Sequence, residues 1–301
     1  MDKQIIEISN DGFNISLHRG FLVVENKATN IKREIPLDNI LSLIISANQL
    51  SLTNKIINEI CNNGGTLIFC DNHYLPNAIT LPYSGHWLIS SRIKQQVDIS
   101  LPLKKNLWKS IVQHKISNQA KTLQYFFPDN PDIERLKRLS IETLSDDKSN
   151  NEGQAASIYF KALFGKKFVR DRLSQGVNLL LNYAYTILRA MVARAVAGNG
   201  ILPYLGLKHC NCTDTFPLVD DLMEPFRAIA DKIVYDIIMK NGKDVELTPD
   251  IKRQITSIVV YPIHGEKGKT LLSIAIYDFV TTLVKSYEEK KNILKFPCIF
   301  P

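Results

Sequence analysis

Cysteine is scarce in this chain, with five residues in 301: Cys61, Cys70, Cys210, Cys212 and Cys298. An odd, scattered set builds no disulfide framework, so a secreted, stapled fold is excluded and a reducing cytoplasm is expected. Long apolar runs are missing as well. No segment reaches the roughly 18 uninterrupted apolar residues of a membrane helix, and the apolar stretch Ile40–Ile45 is far too short. Met1-Asp-Lys-Gln has no basic region leading into an apolar core, so no secretory signal and no membrane association are expected. No internal repeat or low-complexity tract interrupts the chain.

Acidic residues are in deficit. Lys and Arg number 37 against 30 Asp and Glu, a net charge of +7 with a pI near 9.0. Such an excess favours nucleic acid or another anionic surface as partner. The 45% hydrophobic and 22% charged content is that of an ordinary globular protein, long enough for one large or two modest domains.

The periodicity of the chain changes once. Residues 4–9, 13–17, 21–25, 31–36 and 41–46 read as strands, and Asn10-Asp-Gly12 reads as the turn of a hairpin joining the first two. Residues 51–61 have helical spacing, with Ile56, Ile57 and Ile60 on one face and a stop at Asn63-Gly-Gly65; residues 66–70 are one more strand. Pro76, Pro82 and Gly85 then break the pattern. Beyond them the spacing is helical over 87–97, 103–127, 133–144, 154–163, 178–197, 222–239, 249–259 and 271–287. The expected fold is α+β in two domains: a β-rich, sandwich-like domain with one helix over 1–80, a linker over 81–86, and an all-α domain over 87–301.

The helical part carries a dispersed acidic and imidazole set. Glu152 opens Glu-Gly-Gln-Ala-Ala-Ser-Ile-Tyr-Phe, where Gly153, Ala155 and Ala156 allow another segment close approach. His209 ends a loop, Gly-Leu-Lys-His; Cys210 and Cys212 follow it, but no second Cys or His pair completes a zinc site. Asp221 and Glu224, three residues apart, share a helix face bordered by Leu222, Met223 and Phe226, with Pro225 marking a helix start or distortion. Two carboxylates and an imidazole suit a divalent cation with open positions for a phosphate oxygen and a water. Taken singly, Glu152 is a first-turn carboxylate, His209 a solvated loop side chain, and the Asp221/Glu224 pair a charged first turn. Arg227 could meet a carboxylate or a phosphate. Lys104, Lys105, Lys109, Lys115, Lys166, Lys167, Arg170 and Arg172 are candidate DNA-backbone contacts, the 166–172 run being the best patch. Tyr159, Tyr183 and Tyr185 read as core.

A series of phrases, in order, resembles the CRISPR spacer-acquisition integrases, the Cas-one family. They are the Glu152 phrase with Phe164-Gly165 and Phe168-Val-Arg170, then Asn178-Leu-Leu-Leu-Asn-Tyr-Ala-Tyr185, Leu202-Pro-Tyr-Leu-Gly-Leu-Lys-His209 and Leu218-Val-Asp-Asp-Leu-Met-Glu-Pro-Phe-Arg227. The last is most similar to members from type II systems, which use the Cas-nine effector. Asn199-Gly200 departs from the family by lengthening the approach to the histidine. The resemblance implies that Glu152, His209 and Glu224 ligate Mg²⁺ or Mn²⁺, with Asp221 as an auxiliary acid. It implies a metal-dependent DNA endonuclease and integrase that inserts short fragments into a CRISPR array by 3′-hydroxyl attack. Its implied partners are double-stranded DNA, a second copy through the β domain, a small Cas-two protein in a hetero-hexamer, and other type II CRISPR proteins, in a prokaryotic cytoplasm. The competing readings are a non-catalytic DNA-binding scaffold and a metal-dependent repair nuclease or RNase on the same fold.

Overall fold

The computed structural model describes residues 4–71, 76–80, 82, 89–171, 174–209, 216–242, 244–265 and 268–299. Apart from Pro82, the expected linker lies outside these residues, as do Arg172, Cys210 and Cys212. The chain divides into two compact units, 1–86 and 87–301.

Among the described residues, the first unit contains two four-stranded sheets and one α-helix. Its strands are β1 (Gln4–Ile8), β2 (Phe13–His18), β3 (Phe21–Asn26), β4 (Ile31–Pro36), β5 (Ile40–Ile45), β6 (Leu50–Leu52), β7 (Thr66–Cys70) and β8 (Pro76–Thr80), with α1 (Asn54–Asn62) before β7. One sheet runs β1-β5-β7-β8 and the other β4-β3-β2-β6. Ile8, Leu43, Ile45 and Leu67 of the first sheet, Ile15, Leu22 and Val24 of the second, and Ile56 and Ile60 of α1 form one core. Alternation along the strands supplies that core from both sheets.

The turn at Asn10-Asp-Gly12 does not close the expected hairpin. β1 pairs in parallel with β5, while β2 pairs with β3 and β6 in the other sheet. The Asp11 carboxylate accepts the N–H groups of Asn48 and Gln49 at 2.8 and 3.0 Å, and Gly12 N–H donates to the Gln49 carbonyl at 2.8 Å. The turn is thus tied to the entry of β6 and carries the chain between sheets. Residues 50–52, partly expected as helix, form β6, because Leu50 and Leu52 pack into the core on alternate positions. The Pro76 end of the stretch read as a break is an edge strand, β8, with the proline at its first residue.

The second unit is mostly helical: α2 (Ile89–Val97), α3 (Leu101–Phe126), α4 (Asp132–Glu142), α5 (Asn151–Phe164), α6 (Val177–Gly198), α7 (Pro217–Met223), α8 (Arg227–Asn241), α9 (Pro249–Thr256) and α10 (Leu272–Glu288). It is not all-α. β9 (Pro262–Gly265) and β10 (Gly268–Leu271) pair antiparallel between α9 and α10. Four-residue strands give too few alternations to stand out from flanking helices. The apolar α6 packs against α8 and α10, with Leu180, Leu181, Ile187, Leu188 and Val196 fully buried. Among the described residues no helix is long and apolar enough to cross a membrane.

The helix expected over 222–239 is interrupted. α7 ends at Met223, Glu224–Phe226 form one 3-10 turn, and α8 begins at Arg227. Pro225 causes the break, since it has no N–H to give and its ring disfavours the preceding helical turn. The tightened turn gives Glu224 a different outlook from Asp221, three residues earlier.

Candidate active site

Three segments of the second unit are laid along α3, with Lys115 in its middle. The lysine ammonium lies 2.6 Å from Glu152 Oε1 and 2.5 Å from Glu224 Oε2. Trp108, seven residues earlier on the same helix face, meets the His209 ring edge-on at 5.7 Å between centroids. One turn after Lys115, Asn118 Nδ2 donates to the Pro225 carbonyl at 2.8 Å. α3 is therefore the floor on which the three segments carrying Glu152, His209 and Glu224 are laid.

Glu152 stands in the first turn of α5, and the turn before it is unusual. Asp146, Asp147 and Asn150 all have positive φ, at 66°, 48° and 51°. The Asp147 carboxylate accepts the N–H groups of Asn151 at 2.8 Å and Glu152 at 3.1 Å, and Asn150 Oδ1 accepts Gly153 N–H at 3.3 Å. These two side chains satisfy the helix start, which leaves the Glu152 carboxylate to reach Lys115.

The His209 loop is assembled around Asp221. This carboxylate is completely buried and accepts the N–H groups of Leu207 at 2.6 Å, Lys208 at 2.9 Å and His209 at 3.3 Å. It also holds His209 Nδ1 at 2.5 Å. With Nδ1 as the donor, Nε2 keeps its lone pair for another partner. The Asp221 hydrogen bond holds the imidazole above its ordinary pKa against the opposing effect of burial, and Glu224 and Glu152 add to the rise. The ring therefore lies within the field of both glutamates. Lys208 Nζ reaches Asp146 Oδ1 at 2.9 Å, linking this loop to the turn before Glu152.

Glu224 is the inner carboxylate, with its side chain 5% exposed against 23% for Glu152 and 40% for His209, so the site opens on the Glu152 and His209 side. Arg227 Nε donates to its Oε1 at 2.8 Å. Burial pushes this carboxyl up, but Arg227 and Lys115 outweigh it and hold the pKa at about 2. Oε2 has the Lys115 ammonium close by yet no well-directed hydrogen bond. The Arg227 guanidinium lies 4.5 Å above the Tyr185 ring, whose hydroxyl donates to Asp231 Oδ1 at 2.5 Å.

Two carboxylates already share one cation here, and an imidazole is oriented beside them. Oxygen donors with one nitrogen are a donor set that fits Mg²⁺ or Mn²⁺, and a buried oxygen with no directed hydrogen bond fits a metal ligand. Among the described residues no three His, Cys, Asp or Glu side chains close into a metal-holding cluster. The ammonium of Lys115 stands between them instead.

The basic candidates separate into two groups. Lys166 and Lys167 are exposed in the turn after α5. Arg170 turns inward, donating to Asn178 Oδ1 at 3.0 Å and Asn182 Oδ1 at 2.6 Å, and Arg227 is committed to Glu224. Lys115, counted among the candidate backbone contacts, is buried. A lysine in an apolar helix stripe, between Ile111, Val112 and Ile116, was the available signal for a paired, interior charge. Trp108 and Asn118 lie along that same stripe and carried no motif of their own.

The family model described as "CRISPR associated protein Cas1" matches residues 6–247. The "CRISPR-associated endonuclease Cas1" of Neisseria meningitidis serogroup C (strain 8013) is 36% identical over 292 residues, covering 97% of this chain and 95% of its own. Among solved structures, "Casposase bound to integration product" superposes with a TM-score of 0.82 at 19% identity, covering 97% of this chain and 93% of that one. A "Cas6-RT-Cas1--Cas2 complex" chain gives 0.78 at 17% identity, covering 96% of this chain and 35% of that one. At such identities the two structures speak for the fold, while the family match spans most of the sequence. On these grounds the chain belongs to the CRISPR associated protein Cas1 family.

Proposed function

We propose that this chain is a metal-dependent DNA endonuclease and integrase of type II CRISPR spacer acquisition, acting at the Glu152–His209–Glu224 site. The observation that carries the reading is the convergence of Glu152 and Glu224 on one cation position, with His209 held beside them by Asp221. Glu152, Glu224 and His209 Nε2 would hold Mg²⁺ or Mn²⁺, which when bound supplies Lewis-acid activation of the attacking 3′-hydroxyl and stabilisation of phosphorane charge. The protein's own groups do the positioning. Asp221 fixes the imidazole and three loop amides, and Arg227 fixes one oxygen of Glu224. The open side of the site, at Glu152 and His209, is where a phosphodiester enters.

Relatives named as endonucleases, and a casposase solved with an integration product, support this chemistry. The Cas1–Cas2 complex among the structural matches supports a small Cas2 partner. Double-stranded DNA is the substrate, and the β-rich unit is the contact between two copies.

The test is strand transfer of a short duplex with free 3′-hydroxyls into a supercoiled plasmid carrying a leader and repeat, with Mn²⁺ or Mg²⁺ and with or without the small partner. Product at the leader–repeat junction is expected from wild type and not from His209→Ala. Product that survives the substitution would place the chemistry elsewhere, and tight DNA binding with no product would favour a scaffold.

A further inference from the structure

Lys115 occupies the position that the proposed reaction needs for another cation. Its Nζ bridges Glu152 Oε1 and Glu224 Oε2, and its side chain is only 11% exposed. Two carboxylates face Lys115 and Arg227, and the Asp221 carboxylate lies behind His209. A dication on the same two glutamate oxygens would lie at close range to the Lys115 ammonium in a partly buried site. One resident cation has to move.

The two are not equally free to do so. Arg227 lies over the Tyr185 ring and makes a directed bond from Nε to Glu224 Oε1. Lys115 has a flexible four-carbon stem; it donates to Glu152 Oε1 at 2.6 Å, while its contact with Glu224 Oε2 is an ion pair without hydrogen-bond alignment. It also lies beside Glu152, on the side where the site opens. We propose that Lys115 is a resident counter-ion of the acidic pair: its ammonium holds Glu152 and Glu224 together when metal is absent and is displaced when a divalent cation binds. Lys115 is then a positioning residue that competes with the metal, and loading of the site is coupled to a lysine movement. The inference rests on the reading that Glu152, His209 and Glu224 hold the metal.

The test uses the full chain, freed of metal by chelation and titrated with MnCl₂ in a calorimeter. Lys115→Met is expected to bind Mn²⁺ about tenfold tighter or more, the order set by removing one like charge at close range in a partly buried site. Without metal it should unfold several degrees below wild type, and millimolar Mn²⁺ should close that gap. Lys115→Arg, which keeps the charge, should show none of the gain in affinity. In wild type, labelling of Lys115 by an amine-reactive ester, read by mass spectrometry, should rise on Mn²⁺ addition. This arm decides the question if Lys115→Met does not fold. Equal or weaker Mn²⁺ binding by a folded Lys115→Met, or labelling that does not rise, overturns the proposal. His209→Ala separates the two readings. Mn²⁺ binding unaffected by that substitution sinks the metal site and this inference with it. Binding lost in His209→Ala but unchanged in Lys115→Met sinks the inference alone.

Discussion

Gly206 has no room for a side chain. A Cβ there would overlap the His209 carbonyl oxygen and crowd Pro217 and the Asp221 carboxylate. Gly206→Ala should therefore displace the His209 loop and lower strand transfer about a hundredfold, the order that an ångström of misplacement costs at a reacting group. Metal-free thermal stability would register the strain as well. Asp231 makes a different prediction. Burial outweighs its hydrogen bond from Tyr185 and pushes its carboxyl from 3.8 to about 6. The folded protein thus holds this proton more tightly than the unfolded chain, so Asp231 costs stability progressively between pH 3.8 and about 6 and in full above that. Glu224, held at about 2, has the opposite sign: its contribution is present above 4.5 and is lost as pH falls through about 2. Urea midpoints measured from pH 4 to 7 should show Asp231→Asn flattening the decline and ending more stable than wild type at pH 7. A wild-type slope that persists in the variant would remove Asp231 from the account. Sequence alone could not make these distinctions, because a charge is written the same way wherever it points. Lys115 and Arg170 counted with Lys166 and Lys167 as basic residues, yet they hold interior carboxylates and amides.

At the scale of elements, α3 organises the site more than any loop does. Its bond from Asn118 to the Pro225 carbonyl anchors the 3-10 turn that presents Glu224. Asn118→Ala would leave that buried carbonyl without its donor, a loss of about 1–3 kcal/mol that calorimetric unfolding would register. Long helices such as α3 and α6 were legible because many turns of apolar periodicity accumulate along them. Strand existence was legible too, through alternation in Phe13–His18 and the short apolar run that opens Phe21–Asn26. Strand partners were not. Alternation reports which face is buried, whereas the pairing of β1 with β5 is fixed by contacts some 37 residues away, as Ile8 with Ile45 shows. The β9–β10 hairpin was too short to be read at all.

At the scale of the whole molecule, the excess of seven positive charges favours a polyanion such as DNA without saying where it would bind. Among the described residues of the candidate patch, Lys166 and Lys167 are an exposed basic pair. Replacing both with Ala should weaken duplex binding uniformly across sequences. It should also flatten the log–log salt dependence by about one to two units, measured by fluorescence anisotropy, at roughly 0.9 per phosphate contact. An unchanged slope would move the DNA path off this turn. The parallel pairing of β1 has a further consequence, for synthesis. Among the described strands, Gln4–Ile8 pairs in its own sheet only once Ile40–Ile45 has been translated, and that sheet goes on to include Thr66–Cys70 and Pro76–Thr80. Antiparallel β2, β3 and β4 can pair with one another as they emerge. On the ribosome, the nascent chain therefore builds its second sheet around a waiting first strand, and a pause before residue 45 leaves an apolar edge exposed to chaperones or to a neighbouring chain.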